Sequence, residues 1–283
     1  MKPIRRTVLL VLTVGCLASC NGMFFYPEKY RIFNPETVGL DPEDVWFRSQ
    51  DDTLLNGWFF PAGTDTVKGT ILLFHGNAQN MSSHFLSLAW ATFKGYNLFI
   101  FDYRGYGRSE GEPSMPGLVL DAQAAYEYLS SRPETEKTGI VLYGQSLGGI
   151  VLLKALESVA EREAIKCVVI ESSFLSYQEI ARDKLRGFWL FWPFQLLAYL
   201  LISDQYNALE AVGRISPIPL LVIHGRKDEI VPIHFGREVF SLAREPKTFW
   251  EIEQGVHINA MSDSNTNYRK KLLDYLNAVP PAF

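Results

Sequence analysis

Gly144-Gln145-Ser146-Leu147-Gly148-Gly149 follows an apolar run ending at Tyr143 and opens a helical pattern beginning at Leu147. A G-x-S-x-G string alone occurs by chance. Between a strand and a helix it marks a sharp turn that holds a serine hydroxyl out at the carboxyl end of a sheet. Such a turn strains the backbone and crowds the positions two residues either side of the serine. Glycine at 144 and 148 removes the side chains that would collide there. Ser146 is therefore the expected nucleophile.

Outward from this turn, short apolar runs alternate with longer helical patterns, the signature of an α/β fold with a mostly parallel sheet. Eight strands are predicted: Val45–Phe47, Leu54–Phe60, Thr70–Phe74, Leu98–Phe101, Ile140–Tyr143, Val168–Glu171, Leu220–His224 and Thr248–Ile252. The first two suit an antiparallel hairpin at a sheet edge. From Thr70 onward the runs are apolar on both faces, as buried parallel strands are. Helices are predicted over Ser83–Lys94, Met115–Ser131, Leu147–Arg162, Pro232–Ala243 and Thr266–Asn277, with Pro232 in a first turn. No repeat and no second domain boundary is visible.

A serine hydroxyl needs a base. Of the five histidines, His257 lies just after the last predicted strand, in a loop at the carboxyl end of the sheet. His75 belongs to a loop discussed next, His84 opens a helical pattern as a surface or packing residue, His224 ends a strand, and His234 sits in a helix first turn. The base in turn needs an acid to fix its tautomer. Asp228, just beyond the strand ending at His224, gives the chain order Ser, Asp, His expected of such a site. Glu229 and Asp204 are its rivals.

The developing oxyanion needs hydrogen-bond donors. The N–H of Leu147 is one. The other belongs to His75-Gly76-Asn77-Ala78, after the strand Thr70–Phe74, with Asn77 N–H first and Ala78 second. His75 is expected to orient that loop. Asp102-Tyr103-Arg104-Gly105-Tyr106-Gly107 follows another strand, and its glycines and ion-pair options mark a structural turn. No Cys/His cluster or H-E-x-x-H helix predicts a metal. No G-x-G-x-x-G predicts a dinucleotide, so no cofactor is expected. The formal net charge of −4, with no basic run beyond the first six residues, argues against nucleic acid.

The first residues form a leader. Lys2, Arg5 and Arg6 precede the apolar stretch Thr7 to Ala18, too short to span a bilayer comfortably. Leu17-Ala18-Ser19-Cys20 looks like a bacterial lipobox, with cleavage after residue 19 and lipid on Cys20; Cys16 is a poorer match, and a plain secretory signal or an anchor helix is the alternative. Arg5-Arg6 is too little for a twin-arginine signal. Loss of the leader removes three positive charges, so attachment to an anionic surface would rest on acyl chains rather than on charge. Asn21, where retention in the inner membrane commonly calls for Asp, favours the outer membrane. Residues 20–44 are expected as a tether and 45–283 as the folded domain. Cys167 remains alone in an apolar run, a buried residue with no partner for a disulfide.

About fifty residues separate the sixth and seventh strands, far more than a crossover needs. A cap is expected at about 174–212. Within it, Gly187 to Ser203 holds no charge and is broken by Pro193, which argues against a transmembrane helix. It is either a cap packed on the sheet domain or a lid lining an acyl pocket or touching lipid, and one segment could do both.

Phe74-His75-Gly76-Asn77-Ala78, the turn at Asp102, the turn at Ser146, His224-Gly225-Arg226-Lys227-Asp228-Glu229-Ile230-Val231-Pro232 and Gly255-Val256-His257 occur in this order. Together they resemble the α/β-hydrolase-domain serine hydrolases of the serine-aminopeptidase-like or dienelactone-hydrolase-like group, from about Val45 to the C-terminus. The resemblance implies an α/β-hydrolase fold: a mostly parallel eight-stranded sheet, helices on both faces, and a helical cap between the sixth and seventh strands. It is not specific for substrate. Val256 stands where many relatives have glycine before the histidine, which bears on substrate preference. A hydrophobic cap and a lipid tether lead to a first expectation of a carboxylesterase or lysophospholipase-like enzyme facing the periplasm and acting on a small-molecule or lipid acyl substrate. An amidase or peptidase is the alternative, and a non-catalytic envelope lipoprotein is the alternative of another class. Cofactor-free non-hydrolytic chemistry on the same triad is the remaining class. Protein partners are not legible.

Overall fold

The computed structural model describes residues 25–135, 138–159, 162–187, 196–262 and 265–279. The leader and Cys20 lie outside the described residues, as do 188–195, which hold Pro193 and most of the aromatic side chains of the cap.

Eight strands form one sheet: β1 Glu43–Arg48, β2 Leu54–Phe60, β3 Gly69–Phe74, β4 Tyr96–Phe101, β5 Ile140–Gln145, β6 Ile165–Glu171, β7 Leu220–Gly225 and β8 Lys247–Ile252. Their order is β8-β7-β6-β5-β3-β4-β2-β1. β2 runs antiparallel to both neighbours, and the pairs from β4 to β8 are parallel. The predicted strands are all present, most of them extended by a residue or two. Successive side chains feed opposite faces, as the two-residue period requires. Leu72 and Phe74 enter one core and Ile71 and Leu73 the other. The order reverses between β3 and β5, so the loops after these strands part there and leave a crevice at the carboxyl ends, where open α/β sheets bind ligands.

The helices are α1 Met81–His84, α2 Met115–Ser130, α3 Leu147–Ala155, α4 Tyr177–Gly187, α5 Leu197–Leu201, α6 Ile233–Leu242 and α7 Thr266–Ala278. Leu118 and Leu129 of α2, Ile150 of α3 and Val239 of α6 fill the core on one face. Phe85, Leu88, Leu272 of α7 and Leu276 of α7 fill the other. Each such fully buried side chain contributes about 1.5–3 kcal/mol. α4 and α5 lie between β6 and β7, where the cap was expected. Among the described residues, no helix is long and apolar enough to cross a membrane.

Three helices differ from expectation. Ser83–Lys94 is no single α-helix. The one turn of α1 is followed by 3-10 turns over Phe85–Ser87 and Ala89–Lys94. Ser83, Ser87 and Thr92 each turn the hydroxyl back to the carbonyl three residues earlier, a local bond that competes with helix. The helix after Ser146 ends at Ala155 rather than Arg162, and the Arg162 guanidinium donates to the carbonyls of Leu156 and Val159 just beyond that end. Pro232 is the N-cap of α6 rather than a first-turn residue.

The stretch expected as a tether is, over residues 25–44, bound to the body. Phe25 is buried, and Tyr26–Pro27 pairs in parallel with Ala78–Gln79. Glu28 N–H donates to Gln79 O at 3.1 Å, and Gly107 N–H to Glu28 O at 2.9 Å. The Asn80 amide donates to Glu28 O and Tyr30 O at 2.9 and 2.7 Å, and Ile32 N–H to Ser82 Oγ at 2.8 Å. This strap crosses the loop predicted to hold the oxyanion.

Candidate active site

Ser146 joins β5 to α3 with φ +52° and ψ −119°. A non-glycine residue there costs about 1–3 kcal/mol and persists only where its surroundings hold it. A Cβ on Gly148 would stand 2.0 Å from Phe74 O, and one on Gly144 would stand 2.7 Å from Gly149 Cα. The glycine spacing thus follows from contact with β3 and from the turn itself. Leu147 is the first residue of α3, so its N–H belongs to the first turn, whose amides have no partner within the helix.

Asp228 and His257 come together from the ends of β7 and β8. His257 Nδ1 and Asp228 Oδ2 are 2.8 Å apart. The other Asp228 oxygen accepts from Ile230 N–H at 3.0 Å and Val231 N–H at 2.8 Å. Burial disfavours the charge on Asp228. The His257 hydrogen bond and charge, with Val231 N–H and His224, outweigh it and hold the carboxyl below the ordinary range. His224 bonds Val231 O at 2.7 Å and lies 3.6 Å from Asp228 Oδ2. Burial pushes its pKa down. Of the rivals, the Asp204 carboxylate accepts from Ser176 Oγ, and Glu229 is exposed and accepts Lys184 Nζ of α4 on its carbonyl. Cys167 is fully buried in β6, which pushes its thiol up to about 12, far from a nucleophile.

In the loop after β3, a Cβ on Gly76 would stand 3.6 Å from Ser146 Cβ. Asn77 faces the strap: its side-chain oxygen accepts from Tyr106 Oη at 2.9 Å and from Tyr26 N–H at 3.3 Å. His75 is buried beneath, with Nδ1 2.8 Å from Gly76 O and Nε2 3.4 Å from Asp102 Oδ1. Asp102 also accepts from Met81 N–H at 2.6 Å, so the Asp102 turn ties the loop to the sheet.

Sequence reasoning missed three contributors. His84 stacks on His75 with ring centroids 5.2 Å apart, bonds Ala78 O at 2.9 Å, and its Cε1 borders Gly76. Burial and then His75 push its pKa down to about 3, so it is a neutral brace for the loop. The strap is the second, and Glu171-Ser172-Ser173 at the end of β6 is the third. No local motif marks any of them: the strap and Glu171-Ser172-Ser173 act through residues distant in sequence, and His84 through contacts within its own loop.

Ile230 beside Asp228 and Val256 beside His257 are exposed apolar side chains, and so are Leu196 and Leu200 of the cap. Tyr26 and Tyr30 of the strap are exposed as well.

Residues 65–204 match the family described as serine aminopeptidase, S33 (Hydrolase_4). That span includes the loop after β3 and Ser146 and stops short of Asp228 and His257. The chain is 37% identical over 263 residues to the uncharacterized protein YfhR of Escherichia coli K12, covering 91% of this chain and 88% of that one. It is 31% identical over 260 residues to the alpha/beta hydrolase domain-containing protein WAV2 of Arabidopsis thaliana, covering 87% and 82%. Among solved structures, the Pyrococcus furiosus esterase Pf2001 superposes with a TM-score of 0.72 at 20% identity, covering 90% of this chain and 97% of that one. An Exiguobacterium antarcticum esterase superposes at 0.63 and 17% identity, covering 83% and 100%. At such identity these structures speak for the fold alone.

Proposed function

The chain belongs to the serine aminopeptidase S33 family of α/β-hydrolases and is a hydrolase of that fold, and we propose that it cleaves carboxylic esters through Ser146, His257 and Asp228. The observations that support this reading are a strained serine turn and a 2.8 Å Asp228–His257 pair, both following the carboxyl ends of parallel strands of one sheet. Asp228 holds Nδ1 in its protonated form, so Nε2 is left to take the Ser146 proton. The serine oxygen attacks the acyl carbonyl, and the N–H groups of Leu147 and Asn77 receive the oxyanion. His257 returns the proton to the departing alcohol. Water, activated by the same imidazole, then cleaves the acyl-enzyme and regenerates the serine.

The exposed apolar side chains of Ile230 and Val256, beside Asp228 and His257, favour an acyl chain over a peptide. The leader and Cys20 support a lipid-anchored enzyme facing the periplasm, where lysophospholipids and other membrane esters are near. The esterases among the similar folds accord with ester cleavage, and the family's description keeps an amidase or peptidase as the second reading.

The test is hydrolysis of p-nitrophenyl esters of increasing chain length by the mature protein, beside Ser146→Ala. The expected result is turnover that Ser146→Ala abolishes, with an optimum at medium or long chains. No turnover of any ester by folded protein, with covalent labelling by a fluorophosphonate intact, would transfer the reading to amides. Absence of labelling as well would favour a binding lipoprotein.

A further inference from the structure

Three consecutive residues at the end of β6, Glu171, Ser172 and Ser173, are each about 1% exposed, and the triad reading assigns them no role. They hold both reacting side chains by the backbone. Toward the nucleophile, Ser146 N–H donates to Glu171 O at 2.9 Å and Ser173 Oγ donates to Ser146 O at 2.6 Å. Toward the base, Ala260 N–H donates to Glu171 Oε1 at 2.9 Å and Ile258 N–H donates to Ser172 Oγ at 3.3 Å. Ser172 N–H is itself tied to Ile223 O of β7 at 2.9 Å.

The backbone is strained where these bonds land. Ser146, Ser172 and Ile258 have φ of +52°, +53° and +43°. For β-branched Ile258 this is a true outlier, kept only where neighbours over-determine it. The Glu171 carboxylate accepts from Tyr143 Oη and Gln145 Nε2, both at 2.8 Å, as well as from Ala260. All three partners donate to it, and burial, only partly offset by these bonds, pushes its pKa up. The second glycine after Ser146 has its reason here too: a Cβ on Gly149 would stand 2.3 Å from Ser173 Oγ.

We propose that Glu171 and Ser173 are positioning residues that set the placement of Ser146 relative to His257, by clamping the nucleophile turn and the base loop to the one strand end between them. The proposal rests on the triad reading above. Its consequence is kinetic, because displacement of about 1 Å between reacting groups can cost about 10²-fold in rate without a change in substrate contacts. The clamp residues are buried away from solvent, so KM should stay near its wild-type value.

The experiment compares Glu171→Ala, Glu171→Gln and Ser173→Ala with wild type and Ser146→Ala on one p-nitrophenyl ester, with active sites counted by fluorophosphonate titration. Glu171→Gln keeps an oxygen for Ala260 N–H, and the amide of Gln145 and the hydroxyl of Tyr143 can both turn to accept its NH2 group. The expected result is kcat per titrated site down on the order of 10²-fold in Glu171→Ala and tenfold in Ser173→Ala, with KM within about threefold. Glu171→Gln should recover to within about fivefold of wild type. Glu171→Ala leaves buried donors unmet and could fail to fold; Ser173→Ala, a loss of one oxygen, then carries the decision alone. A purely structural role would lower the number of titrated sites while each surviving site turned over normally, and that outcome overturns the proposal. Wild-type kcat per site in Ser173→Ala does the same. Activity retained in Ser146→Ala would instead sink the triad reading beneath it.

Discussion

Asp228→Asn is a nearly isosteric change whose outcome the geometry fixes. The carboxylate uses one oxygen for the N–H groups of Ile230 and Val231, at 3.0 and 2.8 Å, and the other for His257 Nδ1, at 2.8 Å. Asparagine has one oxygen and one NH2 group, and the backbone chooses between them. Turning NH2 toward Ile230 and Val231 would leave one part-buried and one buried N–H donor unmet, at about 1–3 kcal/mol each. The oxygen therefore stays on the backbone, favoured by at least about 2 kcal/mol, or about 30-fold. The NH2 group then faces His257 Nδ1, which must accept, and the ring proton moves to Nε2. That tautomer cannot take the proton of Ser146. The imidazolium formed during the reaction also loses its neighbouring charge. Together these effects amount to a kcat loss of about 10⁴-fold, or about 5 kcal/mol. Steady-state ester hydrolysis, with circular dichroism to verify the fold, measures it. A loss under tenfold in a folded variant would refute the reasoning and remove Asp228 from the acid role.

Three further outcomes are expected. Gly148→Ala should cost about 3 kcal/mol or more, at the upper end for overpacking, because its Cβ meets the main-chain oxygen of Phe74 rather than a side chain that could yield; thermal unfolding reads this directly. Asn77→Ala should lower kcat about 10- to 100-fold with KM little changed, less than outright loss of an oxyanion donor, since it frees the loop from Tyr106 and the strap while leaving the backbone N–H in place. His84 has a folded pKa near 3 and an ordinary value of 6.5, so its contribution is full above about 6.5 and is lost as pH falls toward 3. Denaturant titrations at pH 7 and pH 5 should therefore show a smaller acid loss in His84→Gln than in wild type.

The parts of this molecule that were legible in the sequence are those whose cause is local. The turn at Ser146 announces itself because Gly144 and Gly148 must be small where the turn folds on itself and against β3. The strands announce themselves because both faces of a buried parallel sheet must be apolar, as in Ile71 to Phe74. Asp228 and His257 could be placed because each closely follows a strand that fixes which end of the sheet it occupies. The rest depends on distant partners. Glu171 is an acidic residue at a strand end until Ala260, 89 residues later, donates to it. Phe25 to Ile32 carries no period of strand or helix, since its bonds go to Gln79, Asn80 and Ser82 rather than to itself. Ser83–Lys94 is a local exception: it has the apolar spacing of a helix, and its own hydroxyls, bonded to carbonyls three residues back, break it.

The strap that braces the loop after β3 also fixes where the chain enters the described fold. Tyr26 is hydrogen-bonded to Asn77, and Cys20 is six residues upstream. Fully extended, six residues reach about 20 Å. With Cys20 acylated, as proposed, the mouth of the site is leashed within about 20 Å of the bilayer surface. Substrate supply is then governed by molecules per unit area of that leaflet, through the effective concentration a short leash imposes. Lengthening the segment between Cys20 and Tyr26 would dilute the enzyme away from its own substrate without touching a single catalytic atom.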